Sequence, residues 1–183
     1  MTILAPTYNR AYIIGQLYQS LCRQTSDDFE WLIVDDGSTD GTEALIRTFI
    51  GMPRYALLIS GNSMAASIGP LTGGGREARD ELFFIVDSDD YLTDDAVAAI
   101  KKAYASIRGD EMFCGVCGCK YYPDGKRGGG DLVFDCLDCS ALDFRMKYKI
   151  KGDMAEVVRT DIMRLYPFPE FFAGEKFCPE ALV

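Results

Sequence analysis

Histidine is missing from all 183 residues. Its absence excludes Ser-His-Asp and Cys-His nucleophile arrangements and removes imidazole from any zinc site. Positive charge is also scarce, with 19 Lys and Arg against 28 Asp and Glu and a net charge of -9. A nucleic-acid surface needs the opposite balance, because phosphates are held by clustered Lys and Arg. An anionic small substrate would instead need a bridging cation. No apolar run approaches the roughly 18 residues of a membrane span, and no basic-then-apolar leader opens the sequence, so it reads as cytoplasmic. Repeats, low-complexity tracts and an interdomain linker are absent. The 7 cysteines follow no secreted framework, and reduced thiols are the expectation.

What remains is the composition of one ordinary globular core, 48% hydrophobic and 26% charged. The most informative stretch is Phe83-Phe84-Ile85-Val86-Asp87-Ser88-Asp89-Asp90. Its apolar run fits a strand buried on both faces, as in a parallel sheet. The carboxylates then fall at the strand's carboxyl end, where open α/β sheets bind ligands. Clustered oxygen donors suit a hard cation, Mg²⁺ or Mn²⁺. An acidic loop capping the next helix would have the same residues.

The preceding chain repeats this grammar. Thr2–Ala5 predicts a strand, followed by Pro6-Thr7-Tyr8-Asn9-Arg10 as a turn and helix start. Ile13, Leu17 and Leu21 beside Ile14, Tyr18 and Cys22 make one wide apolar helix face. Phe29–Val34 predicts a second strand running into Asp35-Asp36-Gly37-Ser38. Asp40 and Glu43 then resemble a capping box for a helix burying Leu45, Ile46, Phe49 and Ile50. Tyr55–Ile59 reads as a third strand, Met64–Ala78 as a loop with an ill-defined helix, and Thr93 as the cap of a helix with Val97, Ile100, Tyr104 and Ile107 on one face. Four alternations of strand and helix predict right-handed βαβ units, a mainly parallel sheet and α/β/α layers. After Gly109 the pattern becomes α+β: a strand over Glu111–Tyr122, a turn at Pro123-Asp124-Gly125, a return strand at Leu132–Phe134, a helix over Leu142–Tyr148, a strand over Ala155–Arg159 and a helix over Thr160–Leu165.

Four segments in order, Pro6-Thr7-Tyr8-Asn9, Val34-Asp35-Asp36-Gly37-Ser38, Val86-Asp87-Ser88-Asp89-Asp90 and Gly174-Glu175-Lys176-Phe177, make the chain resemble the family 2 glycosyltransferases. These are inverting enzymes of the GT-A fold that use nucleotide-diphospho-sugars. The resemblance implies one GT-A-like domain over residues 1–183, with a nucleotide-sugar-binding half at 1–108 and an acceptor-side half at 109–183 whose last helix is cut off. It implies that Pro6, Thr7, Tyr8 and Asp36 hold the base, that Asp87, Ser88 and Asp89 form the D-x-D element at ribose and metal, and that Asp90 is a further metal ligand. The implied cofactor is Mn²⁺ or Mg²⁺. The implied donor is a nucleotide-diphospho-sugar, first of all a UDP-sugar, and the acceptor a carbohydrate or lipid-linked glycan in cell-surface polysaccharide synthesis, with peripheral membrane association.

Inversion requires a general base for the acceptor hydroxyl. The family's acidic pair is matched by Glu175-Lys176, so Glu175 is the candidate, with Glu180 and Asp153 behind it. A basic segment common in relatives is replaced by Asn62-Ser63-Met64-Ala65-Ala66, which leaves Arg76 or Arg79 to face the diphosphate. Two C-x-x-C pairs, Cys114/Cys117 and Cys136/Cys139, have zinc-ribbon spacing, although residues three apart on one strand face opposite sides. A structural Zn²⁺ and buried apolar thiols are the two readings. The rivals to a transferase are a degenerate binding scaffold, with or without zinc, and a nucleotidyltransferase, whose Gly-rich basic loop after the first strand is absent.

Overall fold

The structure is a computed structural model that describes residues 1–49, the backbone of 55–59, and residues 75–167. Its sheet comprises β1 (Thr2–Thr7), β2 (Glu30–Asp35), β3 (Tyr55–Ile59), β4 (Leu82–Ile85), β5 (Gly115–Cys119) and β6 (Met154–Arg159) in the order β3-β2-β1-β4-β6-β5. The first four strands are parallel, and β6 joins β4 antiparallel. The helices are α1 (Ile14–Cys22), α2 (Thr42–Ile46), α3 (Ala96–Ala105), α4 (Ala141–Met146) and α5 (Thr160–Leu165). The chain forms two compact units, Met1–Val116 with Val157–Val183, and Cys117–Glu156.

Every residue of β2 is buried, as the continuous apolar run requires when both faces of a parallel sheet are covered. One face carries Leu4, Leu32, Val34 and Phe83, packed with Ala78, Ile85 and Met163 of α5. On the other, Trp31, Phe49 and Tyr18 of α1 form an aromatic cluster, with Phe49 stacked 4.2 Å from Tyr18 and 5.8 Å from Trp31. Within α1 the row Ile14, Leu17, Leu21 is buried as its spacing dictates, whereas Cys22 turns outward.

The strand order makes β1 a switch point. From β1 the chain moves to β2 and β3 on one side and to β4 on the other, which opens a crevice at the carboxyl ends of β1 and β4. That crevice is where the sequence places its carboxylates.

Several local expectations are corrected. The N-cap of α2 is Gly41 at φ +89°, and Asp40 accepts from the N–H and hydroxyl of Thr42. Glu43 reaches forward to Arg47, so no capping box closes. Thr93 serves α3 with its carbonyl and not its hydroxyl, and the helix starts at Ala96. In the second unit the strand ends by Cys119, and Leu132–Phe134 is not a strand. There the chain at Gly129 and Gly152 passes so close that a Cβ on Gly129 would stand 1.8 Å from the Lys151 carbonyl oxygen. The expected turn at Pro123-Asp124-Gly125 is present, flanked by a Tyr121–Arg127 bridge.

Candidate functional site

Thr7 ends β1 directly opposite Asp35, the last residue of β2. The ladder runs one step further, with Asp36 N–H donating to Thr7 O at 2.9 Å. On the other side Leu4 pairs with Ile85, and Val86 N–H donates to Leu4 O at 2.9 Å. This register carries Asp87 to the level of Pro6 and Ser88 to that of Thr7. The sheet therefore delivers Pro6, Thr7 and Tyr8 at its centre, Asp36 on one flank and Asp87 to Asp90 on the other. All are sequence-predicted positions.

The acidic segment is a tight turn, with Asp90 N–H donating to Asp87 O at 3.0 Å. Burial alternates along it: Asp87 and Asp89 are exposed and Ser88 between them is 4% exposed. The turn thus leaves the two carboxylates facing outward and the serine anchored inward. The chain after the turn is sewn to α1. Leu92 N–H donates to Ser20 Oγ, the buried amide of Gln24 donates to Thr93 O at 2.6 Å, and Gln24 Oε1 accepts from Val97 N–H at 3.0 Å.

A second seam joins the loops after β1 and β2, and sequence reading missed it. Asn9 sits at φ +53°, a conformation asparagine tolerates better than most residues. Its N–H donates to Ser38 Oγ at 2.8 Å, and its Oδ1 accepts from Thr39 N–H at 2.8 Å. Ser38 Oγ in turn donates to the buried Asp35 carboxylate at 2.5 Å. One step on, Arg10 N–H donates to Thr42 Oγ1, and Asp40 accepts from Ala11 N–H at 3.1 Å. The Thr42 hydroxyl, followed by the Ala11 amide, holds the Asp40 carboxyl below its usual range. Asp35 is thus a structural brace, which leaves the half-buried Asp36 as the carboxylate of this pair that borders the crevice. The available signals were the turn residues Asn9, Ser38 and Asp40, which bond their neighbours' backbones.

Among the described residues Thr7 Oγ1 is buried without a hydrogen-bond partner at the rim of the crevice. An orphaned buried hydroxyl costs stability unless something supplies a partner. Tyr8 is 56% exposed beside it.

Among the described residues no three Asp, Glu or Cys side chains gather into a ready-made ion cage. The donor set at 87–90 fits an ion of the kind that takes one or two protein carboxylates and completes its shell with water and substrate phosphates, as Mg²⁺ does. The two C-x-x-C pairs do not come together as a four-sulfur site. Cys117 keeps exposed surface, yet dehydration first, then Glu156 and Cys119, push its thiol up to about 11. Arg76 and Arg79 are exposed at residues 75–79, with the Arg79 N–H held by Glu30. Asp153 is paired with Lys120. Glu175, Glu180 and the 61–74 segment lie outside the described residues.

A parallel sheet with this order and with acidic residues at the carboxyl ends of its central strands is the nucleotide-sugar transferase architecture called GT-A. The model of glycosyl transferase family 2 matches residues 2–157, and the chain belongs to that family. Poly(ribitol-phosphate) β-N-acetylglucosaminyltransferase TarP of Staphylococcus aureus is 31% identical over 69% of this chain and 38% of its own. Among solved structures, residues 1–349 of S. aureus TarS in complex with UDP-GlcNAc are similar with a TM-score of 0.70 and 25% identity, covering 92% of this chain and 48% of that one. Mannosyltransferase PcManGT from Pyrobaculum calidifontis, in complex with GDP-Man and Mn²⁺, shares the fold at a TM-score of 0.65 and 20% identity, covering 92% and 47%. The chain spans no more than 57% of the length of the leading curated relatives.

Proposed function

We propose that the chain forms the donor-binding part of an inverting glycosyltransferase that moves a hexosyl unit from a nucleotide-diphospho-sugar, first of all a UDP-sugar, to a carbohydrate or lipid-linked acceptor. The observation that carries this reading is the convergence of Asp36 and the Asp87–Asp90 turn on either side of the β1 terminus, at the sheet's switch point. The UDP-GlcNAc complex of TarS supports a UDP-sugar, and the Mn²⁺ complex of PcManGT supports a divalent ion.

In this reading Asp36 accepts a hydrogen bond from the imide N–H of uracil, Thr7 Oγ1 finds its missing partner on the base, and Tyr8 lies against it. Asp87 and Ser88 hold the ribose side. Asp89, with Asp87 and Asp90 beside it, would hold Mn²⁺ or Mg²⁺, a Lewis acid for the negative charge that develops on the departing diphosphate. Arg76 complements the same charge. Glu175 takes the proton of the acceptor hydroxyl as its oxygen bonds to the anomeric carbon from the face opposite the leaving group, and the bond to the diphosphate breaks with inversion. The product class is a cell-surface polysaccharide, assembled at the cytoplasmic face by a peripherally bound enzyme. Residues 1–108 act as the donor half and 109–183 as the acceptor side of a single domain.

The test is release of nucleotide from UDP-GlcNAc, UDP-glucose and GDP-mannose with Mn²⁺ and an oligosaccharide acceptor panel. Asp89→Ala should lower release on the order of a hundredfold or more. Release at the wild-type rate in Asp89→Ala, or from no donor at all, contradicts the proposal.

A further inference from the structure

The second unit, Cys117–Glu156, carries seven basic and seven acidic side chains, so the chain's net charge of -9 resides outside it. Within the unit, charge and apolarity are concentrated at one place. The sequence Ala141–Gly152 holds four bases, Arg145, Lys147, Lys149 and Lys151, and one acid, Asp143. Asp143 lies in the first turn of α4, where its backbone N–H donates to Ser140 Oγ at 3.0 Å and fixes the helix start.

That helix buries none of its residues. Leu142 and Met146, four apart and therefore on one side, are 71% and 70% exposed. A short helix that presents both of its aliphatic residues to water gains nothing by doing so. The chain beyond it is folded back by Arg145, whose guanidinium donates to Ile150 O and Gly152 O, at 2.8 Å for the latter, while Ile150 turns inward. With Arg145 used in this way, Lys147, Lys149 and Lys151 stay exposed in the same short stretch of chain as Leu142 and Met146. Tyr148 stands among them, with the Lys147 ammonium 5.2 Å from its ring centroid.

We propose that Leu142, Met146 and Tyr148 with Lys147, Lys149 and Lys151 form a docking surface for an anionic lipid bilayer. The charge of the surface is opposite to that of such a membrane, and screening within about 8 Å makes the local lysines decide attraction. The apolar side chains select a bilayer over a soluble polyanion, since they gain only by entering an acyl boundary. Lysine stems can lie along that boundary with their ammonium groups at the headgroups, and tyrosine is suited to the same depth. The inference rests on the peripheral membrane association proposed above and assigns it to particular residues. It does not depend on the donor site.

The experiment is co-sedimentation of the chain with phosphatidylglycerol vesicles and with phosphatidylcholine vesicles, beside UDP binding as a readout of the donor site. Binding to the anionic vesicles alone is expected. Changing Lys147→Gln, Lys149→Asn and Lys151→Gln together should weaken it about a hundredfold, taking roughly fivefold for each lysine. Leu142→Ser with Met146→Ser should weaken it as well. All five positions are exposed, and an unchanged circular dichroism spectrum and UDP affinity establish that the variants are folded. If the wild type binds vesicles and the triple lysine variant binds them equally, this assignment falls and membrane association stands. If the wild type binds neither vesicle, both fall, whatever the UDP result. Self-association of the wild type that Leu142→Ser/Met146→Ser abolishes would give the face to a second copy of the chain and overturn the proposal.

Discussion

At the scale of single residues, neighbouring side chains of one type have different tasks because their surroundings differ. Asp35 is 1% exposed and braces Ser38, whereas Asp36, one residue on, borders the crevice. The D-x-D pair is outward and the serine between them inward. The position of these carboxylates at the carboxyl ends of strands was legible from the apolar runs that precede them, whereas the inward turn of Ser88 was not. The bond made by Asp35 was not legible, since either aspartate could have made it. Cys117 gives a pH prediction. Its folded value, about 11, lies above that of an exposed thiol near 9, so the folded state holds the proton more tightly. The corresponding stability is fully present below about pH 8.5 and is lost as pH rises toward 11. Iodoacetamide labelling read by peptide mass should find Cys117 slower than Cys136 at pH 8, with the gap closing near pH 11. Equal rates at pH 8 would contradict the assignment.

At the scale of elements, two seams hold the crevice. The Asn9-Ser38-Thr39 and Arg10-Thr42-Asp40 bonds tie the loops after β1 and β2, and Ser20 with Gln24 ties the acidic turn's exit to α1. Thr42→Val keeps the shape of a fully buried side chain but strands the Arg10 N–H and removes a donor from Asp40. A loss of about 1 to 3 kcal/mol in urea unfolding is expected, together with weaker UDP binding. Asp40 adds a direction in pH. Its lowered carboxyl contributes stability above the ordinary carboxylate range that is lost as pH falls through it, and this loss should be absent in Asp40→Asn.

The joint of β5 with β6 is close. A Cβ on Gly115 would lie 2.0 Å from the Val157 carbonyl oxygen, so Gly115→Ala should cost about 3 kcal/mol or more by the same measurement. Elements in the parallel half were legible because their apolar runs and helix stripes were long, and α5 was found to the residue. The return strand at Leu132–Phe134 was not. Its three apolar residues resemble a strand, but the Gly128–Gly130 crossing commits the neighbouring backbone, and Val133 is left 97% exposed.

At the scale of the whole molecule, the sheet order β3-β2-β1-β4 alone creates a place where loops from both directions meet. Neither that order nor the size of the second unit can be read from periodicity, which reports each element's faces and not its neighbours. The resemblance implied a GT-A fold with a mainly parallel sheet, and the observed sheet and the family match over residues 2–157 agree with that fold. If the crevice is a donor site, a nucleotide and a metal ion together should stabilise the fold. At about a hundred times Kd, UDP with Mn²⁺ should raise Tm by about 5 to 10 °C, and neither alone should do so.

A nucleoside diphosphate and a divalent ion are expected to bind together at the ends of β1, β2 and β4. Calorimetric titration of UDP into the chain, with and without Mn²⁺, in wild type and Asp89→Ala, tests it most directly. Binding should require Mn²⁺ and disappear in Asp89→Ala while the thermal unfolding of the unliganded protein is unchanged. Binding that ignores the metal and survives Asp89→Ala, or no binding of UDP or GDP under any of these conditions, would contradict it.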